Sequence, residues 1–191
     1  MEEKKLGLLL LSGGIDSPVA GFLVKRAGFR LAAVHFSSEP FVGPEIEEKC
    51  GVLAKKIGAE EFLAENVGKD LEELASKCKY SLYYVLQKRL LLRRADKIAG
   101  KIGADFLVTG ENLGQVSSQT LSNLAVIDSA TRLPIARPLI SFDKEEIIAI
   151  ARKLGTFEIS KGPEACCVLG PKHPATFSNI GQVLEEEQKL K

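Results

Sequence analysis

The chain is poor in the residues that several classes of protein depend on. Tryptophan is absent, methionine occurs once, and histidine occurs only as His35 and His173. The four cysteines, Cys50, Cys78, Cys166 and Cys167, include no Cys-x-x-Cys pair, and with two isolated histidines they offer no structural zinc site. They also lack the framework spacing of a disulfide-stapled secreted domain, so a reducing cytoplasm is the compartment they fit. No apolar run approaches the roughly 20 residues of a membrane span. The opening Met1-Glu2-Glu3-Lys4-Lys5 runs into a short strand and has the form of neither signal peptide nor anchor, so no membrane partner is expected. Charge is balanced, 26 Lys and Arg against 25 Asp and Glu, and by itself points to no polyanionic partner. Internal repeats and low-complexity linkers are lacking too.

What is present is an alternation of strand and helix signals. At 191 residues with 45% apolar content, the chain suits one α/β domain with a substantial core and is short for two. Strands are expected at Leu6–Leu11, Leu31–Phe36, Phe62–Val67, Asp105–Thr109 and Pro134–Ala136. Helices are expected at Ser17–Ala27, from Pro44 to near Gly58, and from Asp70 to Ile102 with a break near Lys79. Further helices are expected at Ser117–Ile127 and after Asp143, where Glu146 completes a capping box and Gly155 ends the helix. Such units predict a doubly wound parallel sheet with helices on both faces, occupying residues 1–175. A charged tail, 176–191, is expected to be helical or frayed. In these sheets ligands sit at the C-terminal ends of the strands.

The sharpest local signal is Leu8-Leu9-Leu10-Leu11-Ser12-Gly13-Gly14-Ile15-Asp16-Ser17-Pro18. An apolar strand enters a Ser/Gly loop that opens a helix, where unpaired N–H groups and the helix dipole favour an anion. Gly13 and Gly14 allow close backbone approach, and Ser12 and Ser17 add hydroxyls. Pro18 suits the first helical turn. No lysine follows the glycines, so this is not a Walker loop. Ser-Gly-Gly-x-Asp-Ser resembles instead the PP-loop of the ATP pyrophosphatases, an adenine nucleotide α-hydrolase-like fold whose members split ATP between the α- and β-phosphates. Asp16 is the local carboxylate best suited to hold Mg2+ on the nucleotide phosphates; no metal bound by the protein alone is expected.

A second string, Thr109-Gly110-Glu111-Asn112-Leu113-Gly114-Gln115-Val116-Ser117-Ser118-Gln119-Thr120, crowds glycines and polar groups at a strand end. Together with Ser12–Pro18, Arg137-Pro138-Leu139-Ile140 and Asp143-Lys144, it closely resembles the catalytic half of the tRNA 4-thiouridine synthetases (tRNA sulfurtransferases, ThiI-like). The likeness runs from about Leu6 to Leu169. It implies ATP against Leu10 and Leu11, against His35 and Phe36 after the second strand, and in contact with Lys88, Gly110 and Gln119. Phe36 can cover adenine, Lys88 can offset triphosphate charge, and Gly110 permits close approach. His35 taken alone fits a buried structural imidazole equally well; its place at the strand end favours the contact.

Pro163-Glu164-Ala165-Cys166-Cys167-Val168 resembles the family's segment carrying the catalytic cysteine, which implies that role for Cys166. Cys167 stands where the family usually has glycine and is an adjacent second thiol. A thiolate is the nucleophile sulfur transfer calls for. Cys50 and Cys78 lie in helical patterns and are read as ordinary buried cysteines. Between Lys77 and Lys101 the cations Lys88, Arg89, Arg93 and Arg94, with neighbouring lysines, face a single acid, Asp96. They could track RNA phosphates or form a solvated helix face. Arg137 could serve ATP or RNA.

The resemblance therefore implies an ATP-dependent tRNA sulfurtransferase that adenylates a uridine carbonyl and replaces its oxygen with sulfur, releasing AMP and pyrophosphate. Its partners would be tRNA and a sulfur donor such as a cysteine desulfurase. Full-length relatives carry a ferredoxin-like and THUMP region that grips tRNA, and some carry a rhodanese domain; neither is expected here, so a separate THUMP-type chain could supply the grip. An archaeal Cys-x-x-Cys is replaced by Tyr84-Val85-Leu86-Gln87, which speaks against a cluster bound there. Two rivals stand beside this reading. One is another PP-loop adenylating enzyme with a non-RNA acceptor; the other is an ATP-binding partner subunit without turnover.

Overall fold

A computed structural model describes residues 4–114, 116–162 and 169–190. Five strands form one all-parallel sheet: β1 (Leu6–Leu10), β2 (Arg30–Ser37), β3 (Phe62–Asn66), β4 (Phe106–Val108) and β5 (Ile135–Ala136). The order β3-β2-β1-β4-β5 places the first strand in the centre. The chain winds outward from β1 through β2 and β3, then crosses back to β4, so the order reverses beside β1. That is the switch point where doubly wound sheets bind ligands.

The alternation of side chains along each strand sorts the core into two layers. Leu8, Ala32 and Val34 face α3 (Gly68–Lys77), α4 (Tyr83–Ile102), α5 (Leu121–Asp128) and α8 (Ile180–Gln188), through Leu74, Leu86, Ile127 and Val183 among others. Leu9, Leu11, Leu31 and Ala33 face α1 (Asp16–Arg26), α2 (Glu45–Lys56) and α6 (Lys144–Leu154), through Val19, Leu53 and Ile147. Consecutive apolar residues in β1 and β2 are thus both buried, as strands covered on both faces require.

Local rules set most boundaries. Asp143 accepts from the Glu146 N–H while Glu146 accepts from the Asp143 N–H, and Gly155 closes α6 at φ 65°. The helical region after Asp70 does break at Lys79, where a single 3₁₀ turn, Tyr80–Leu82, separates α3 from α4. The stretch expected as one helix from Ser117 is instead a 3₁₀ turn, Ser117–Gln119, followed by α5, which Thr120 caps through its hydroxyl. A short helix, α7 (Phe157–Ser160), was not foreseen. The segment from 176 onward is no appendage: α8 buries Val183 in the core, and Glu187 pairs with Arg89 at 2.8 Å.

Candidate active site

The loop after β1 is stitched to itself. Gly13 takes φ 79°, a left-handed conformation that favours glycine. The Ser12 N–H donates to Ser17 Oγ at 3.1 Å, the Gly14 N–H donates to Ser12 Oγ at 3.3 Å, and the two hydroxyls lie 3.2 Å apart. Their oxygens are therefore engaged in shaping the loop. The Gly14 carbonyl accepts from Ser160 Oγ at 3.3 Å, which ties α7 to the loop.

Gly110, at the end of β4, explains its own identity. A Cβ there would lie 2.7 Å from the Ser17 nitrogen and 2.8 Å from the Asp16 carbonyl carbon, both backbone atoms with no room to give. Its role is to let the second motif pack directly on the first. Asp16, in the first turn of α1, accepts from Lys144 Nζ at 2.6 Å, so α6 delivers a cation to the loop's one carboxylate.

Beside this loop opens a cavity of about 680 Å³, of a size to hold a small-molecule ligand. Leu10, Leu11, Ser12, His35, Phe36, Lys88 and Gln119 line it together. Gly13, Gly14, Asp16 and Ser17 belong to the adjoining loop, Gly110 packs against it, and none of the five lines the cavity. Tyr84 and Gln87 from α4, Ser38 after β2, and Pro171, Lys172 and Pro174 are among the other lining residues; sequence reasoning missed all of these. Helical spacing could have found Tyr84, one turn before Lys88 on the same face, and then Gln87, three residues after Tyr84.

The electrostatics centre on Glu111, a residue quoted in the second motif but given no role. It is buried at the end of β4, where it accepts from Lys88 Nζ at 2.5 Å, from Arg137 Nε at 2.8 Å and from the Thr109 hydroxyl at 3.1 Å. Burial pushes its pKa up, but Lys88 and Arg137 outweigh that and hold the carboxyl below its ordinary range. Arg137 also pairs with Asp128 at 2.5 Å, so it is committed inside the protein. Burial would lower its pKa, yet its bonds to Asp128 and Glu111 raise it. His35 is buried, which lowers its pKa and keeps it neutral. Its Nδ1 lies 2.9 Å from the Leu11 carbonyl oxygen.

The cationic face expected on α4 needs correction. Arg89 is 1% exposed, donates to Glu187, Ser129 and the Val126 carbonyl, and cannot meet an RNA phosphate from that position. Arg93 pairs with Glu187, Arg94 with Glu65 and Asp70, and Lys88 with Glu111. The helix has one acid of its own, but β3, α3, α8 and the segment after β4 bring the rest. Lys97 and Lys101 are exposed.

Cys166 and Cys167 lie outside the described residues. Cys50 and Cys78 are buried free thiols. Burial pushes Cys50 up to about 12 and raises Cys78, so both stay protonated. Among the described residues no three His, Cys, Asp or Glu side chains gather as a metal site, and no helix is long and apolar enough to cross a membrane.

Comparison with known proteins agrees with this geometry. The chain is 47% identical over 191 residues to a probable tRNA sulfurtransferase of Coxiella burnetii, covering 96% of this chain and 48% of that protein. It is 45% identical over 190 residues to the probable tRNA sulfurtransferase of Finegoldia magna, covering 96% and 49%. The chain thus spans about half the length of these relatives. A solved 4-thiouridine synthetase–RNA complex with bound ATP superposes with a TM-score of 0.91 at 39% identity, covering 97% of this chain and 50% of that one. The NMN synthetase of Francisella tularensis, at 18% identity and a TM-score of 0.60 over 90% of this chain and 70% of its own, shares the fold. The family model described as thiamine biosynthesis protein (ThiI) matches residues 3–191, and the chain belongs to that family.

Proposed function

We propose that this domain binds ATP in the cavity beside the Ser12–Ser17 loop and uses it to adenylate the C4 carbonyl oxygen of a uridine in tRNA, which sulfur then replaces. The observation that carries the reading is the meeting of the loop, the second motif and the cavity at the switch point of the sheet. Adenylation turns a poor leaving group into AMP. The helix N-terminus and Lys144 are placed to stabilise charge on departing pyrophosphate, an electrostatic contribution rather than a covalent one. Asp16 is a hard oxygen donor on the loop, of the kind magnesium takes, and would hold that ion against the phosphates.

Cys166 is assigned here as the sulfur-bearing nucleophile, with Cys167 as a neighbouring thiol able to relay or resolve. Support comes from both flanks of their segment: Ser160 bonds to the glycine loop on one side, and Pro171 and Lys172 line the cavity on the other. The acceptor is taken to be tRNA, with Lys97 and Lys101 the cations of α4 freest to reach it. The sulfur donor is inferred to be a persulfide-forming protein of the cysteine desulfurase kind.

Turnover of labelled ATP, with and without bulk tRNA, tests the reading. The expected products are AMP and pyrophosphate, formed only when tRNA is present, and abolished in Asp16→Ala. Formation of ADP and phosphate would reject it. AMP formation indifferent to tRNA would favour an adenylating enzyme with another acceptor.

A further inference from the structure

The cavity beside the glycine loop has a stretch of wall to which neither motif contributes. Tyr84 and Gln87, three residues apart on α4, share one helix face there, and Leu91, a turn further on, continues it. The Tyr84 ring is held in place. It packs edge to face with the buried ring of Tyr83, centroids 5.5 Å apart at 78°. The backbone at Gly170 passes so close that a Cβ there would lie 2.6 Å from Tyr84 Cε1, an approach that glycine permits. Gln87 is half-buried, and no described residue hydrogen-bonds its amide.

The reaction itself says what belongs against this wall. The C4 oxygen of the acceptor has to meet the α-phosphate of a nucleotide beside the loop, and C4 has to meet the sulfur on Cys166. The segment that carries Cys166 follows Ser160, whose hydroxyl donates to the Gly14 carbonyl at 3.3 Å, and precedes Gly170, which lies against Tyr84. One flank is tied to the loop and the other to the α4 wall. The base that carries C4 therefore belongs between the loop and Tyr84.

The two side chains suit a pyrimidine. Bases outside a helix are read by stacking on aromatic rings and by hydrogen bonds to their Watson–Crick edges. A primary amide sets an acceptor beside a donor. Uracil offers the complement, N3–H beside O2, and leaves O4 free to be adenylated. Cytosine offers two acceptors at the same edge, so a ring lone pair would face the amide oxygen. We propose that Tyr84 and Gln87 form the acceptor-base subsite: Tyr84 stacks an extruded uracil, and Gln87 accepts from its N3–H and donates to its O2, turning C4–O4 toward the loop. The assignment rests on the cavity being the ATP and tRNA site proposed above. Both residues act by binding, and no bond is made or broken at either.

Crosslinking and kinetics test it. Bulk tRNA that already contains 4-thiouridine, irradiated in the near ultraviolet with the native protein, should crosslink to the peptide containing Tyr84. In tRNA-dependent AMP formation, Tyr84→Leu should raise the KM for tRNA about tenfold and leave the KM for ATP unchanged, while Tyr84→Phe stays native. In binding competition without ATP, a transcript with cytidine in place of the thiolated uridine should bind the native protein about tenfold more weakly than the uridine transcript. That ratio should fall toward one in Gln87→Ala. A crosslink elsewhere, an unchanged tRNA KM in Tyr84→Leu, a rise in the ATP KM in its place, or a ratio indifferent to Gln87 each overturns the subsite and leaves the functional reading standing. A native protein that forms no AMP with tRNA overturns both.

Discussion

Replacing Glu111 by glutamine should destabilise the domain by about 3 kcal/mol, a figure set by what surrounds the carboxylate. Its side chain is 10% exposed and that of Arg137 is 11%, while Lys88 is 26% exposed. Removing one partner of a buried ion pair costs roughly 3–5 kcal/mol, because the other charge is left uncompensated. The lower end applies here: Arg137 keeps Asp128, Lys88 keeps some solvent, and an amide still accepts hydrogen bonds. In a domain of this size about 3 kcal/mol lowers Tm by roughly 6–12 °C. Thermal unfolding at neutral pH, followed by circular dichroism, would read it. The sign with pH also follows. The folded-state pKa of Glu111 is held below its ordinary 4.5, so its stabilisation is complete above that value and is lost as pH falls through the depressed folded value. Native and variant curves should therefore converge in acid. A Tm change under about 2 °C at neutral pH, or a gap that widens on acidification, would refute the reasoning.

Gly110→Ala should abolish nucleotide binding, because its new methyl meets the backbone of Asp16 and Ser17; titration with ATP would show it, and near-native affinity would mean that the loop can shift. Lys97→Glu with Lys101→Glu should weaken tRNA binding and flatten its salt dependence while leaving ATP affinity unchanged, measured by filter binding across a salt series. Cys166→Ser should lose thiolation of RNA yet bind ATP, with Cys167→Ser milder. Alkylation in the folded state should spare Cys50 and Cys78, whose raised pKa values keep them as unreactive thiols.

The parts of the fold legible in the sequence are those that depend on neighbours within a turn or a strand. The Asp143–Glu146 capping box, Gly155, the Ser/Gly loop and the break near Lys79 are all of this kind. The identity of the covering helices was not legible, nor was the fate of the α4 cations, because both depend on distant partners. Arg89 meets Glu187 across 98 residues of chain, and Arg94 meets Asp70 across 24. A local charge tally on α4 finds one acid and infers a free cationic face; the folded molecule neutralises most of it. The same limit applied to the cavity. Its loop, strand-end and helix residues were found through motifs, whereas Pro171, Lys172 and Pro174 belong to an irregular stretch with no period to betray it.

Because the cavity draws its walls from β1, β2, α4, the turn at 117–119 and residues 171–174, no smaller cooperative unit contains it. Its ligand can therefore bind only where nearly the whole domain is assembled, so occupancy and folding are linked equilibria. A nucleotide present at a hundred times its dissociation constant would shift the folding balance by about 2.7 kcal/mol, nearly as much as the loss expected for Glu111→Gln. Partial unfolding of the 171–174 stretch would release the ligand before it unfolded the sheet. Nucleotide concentration would thereby set the survival of the folded protein as well as the rate of its chemistry.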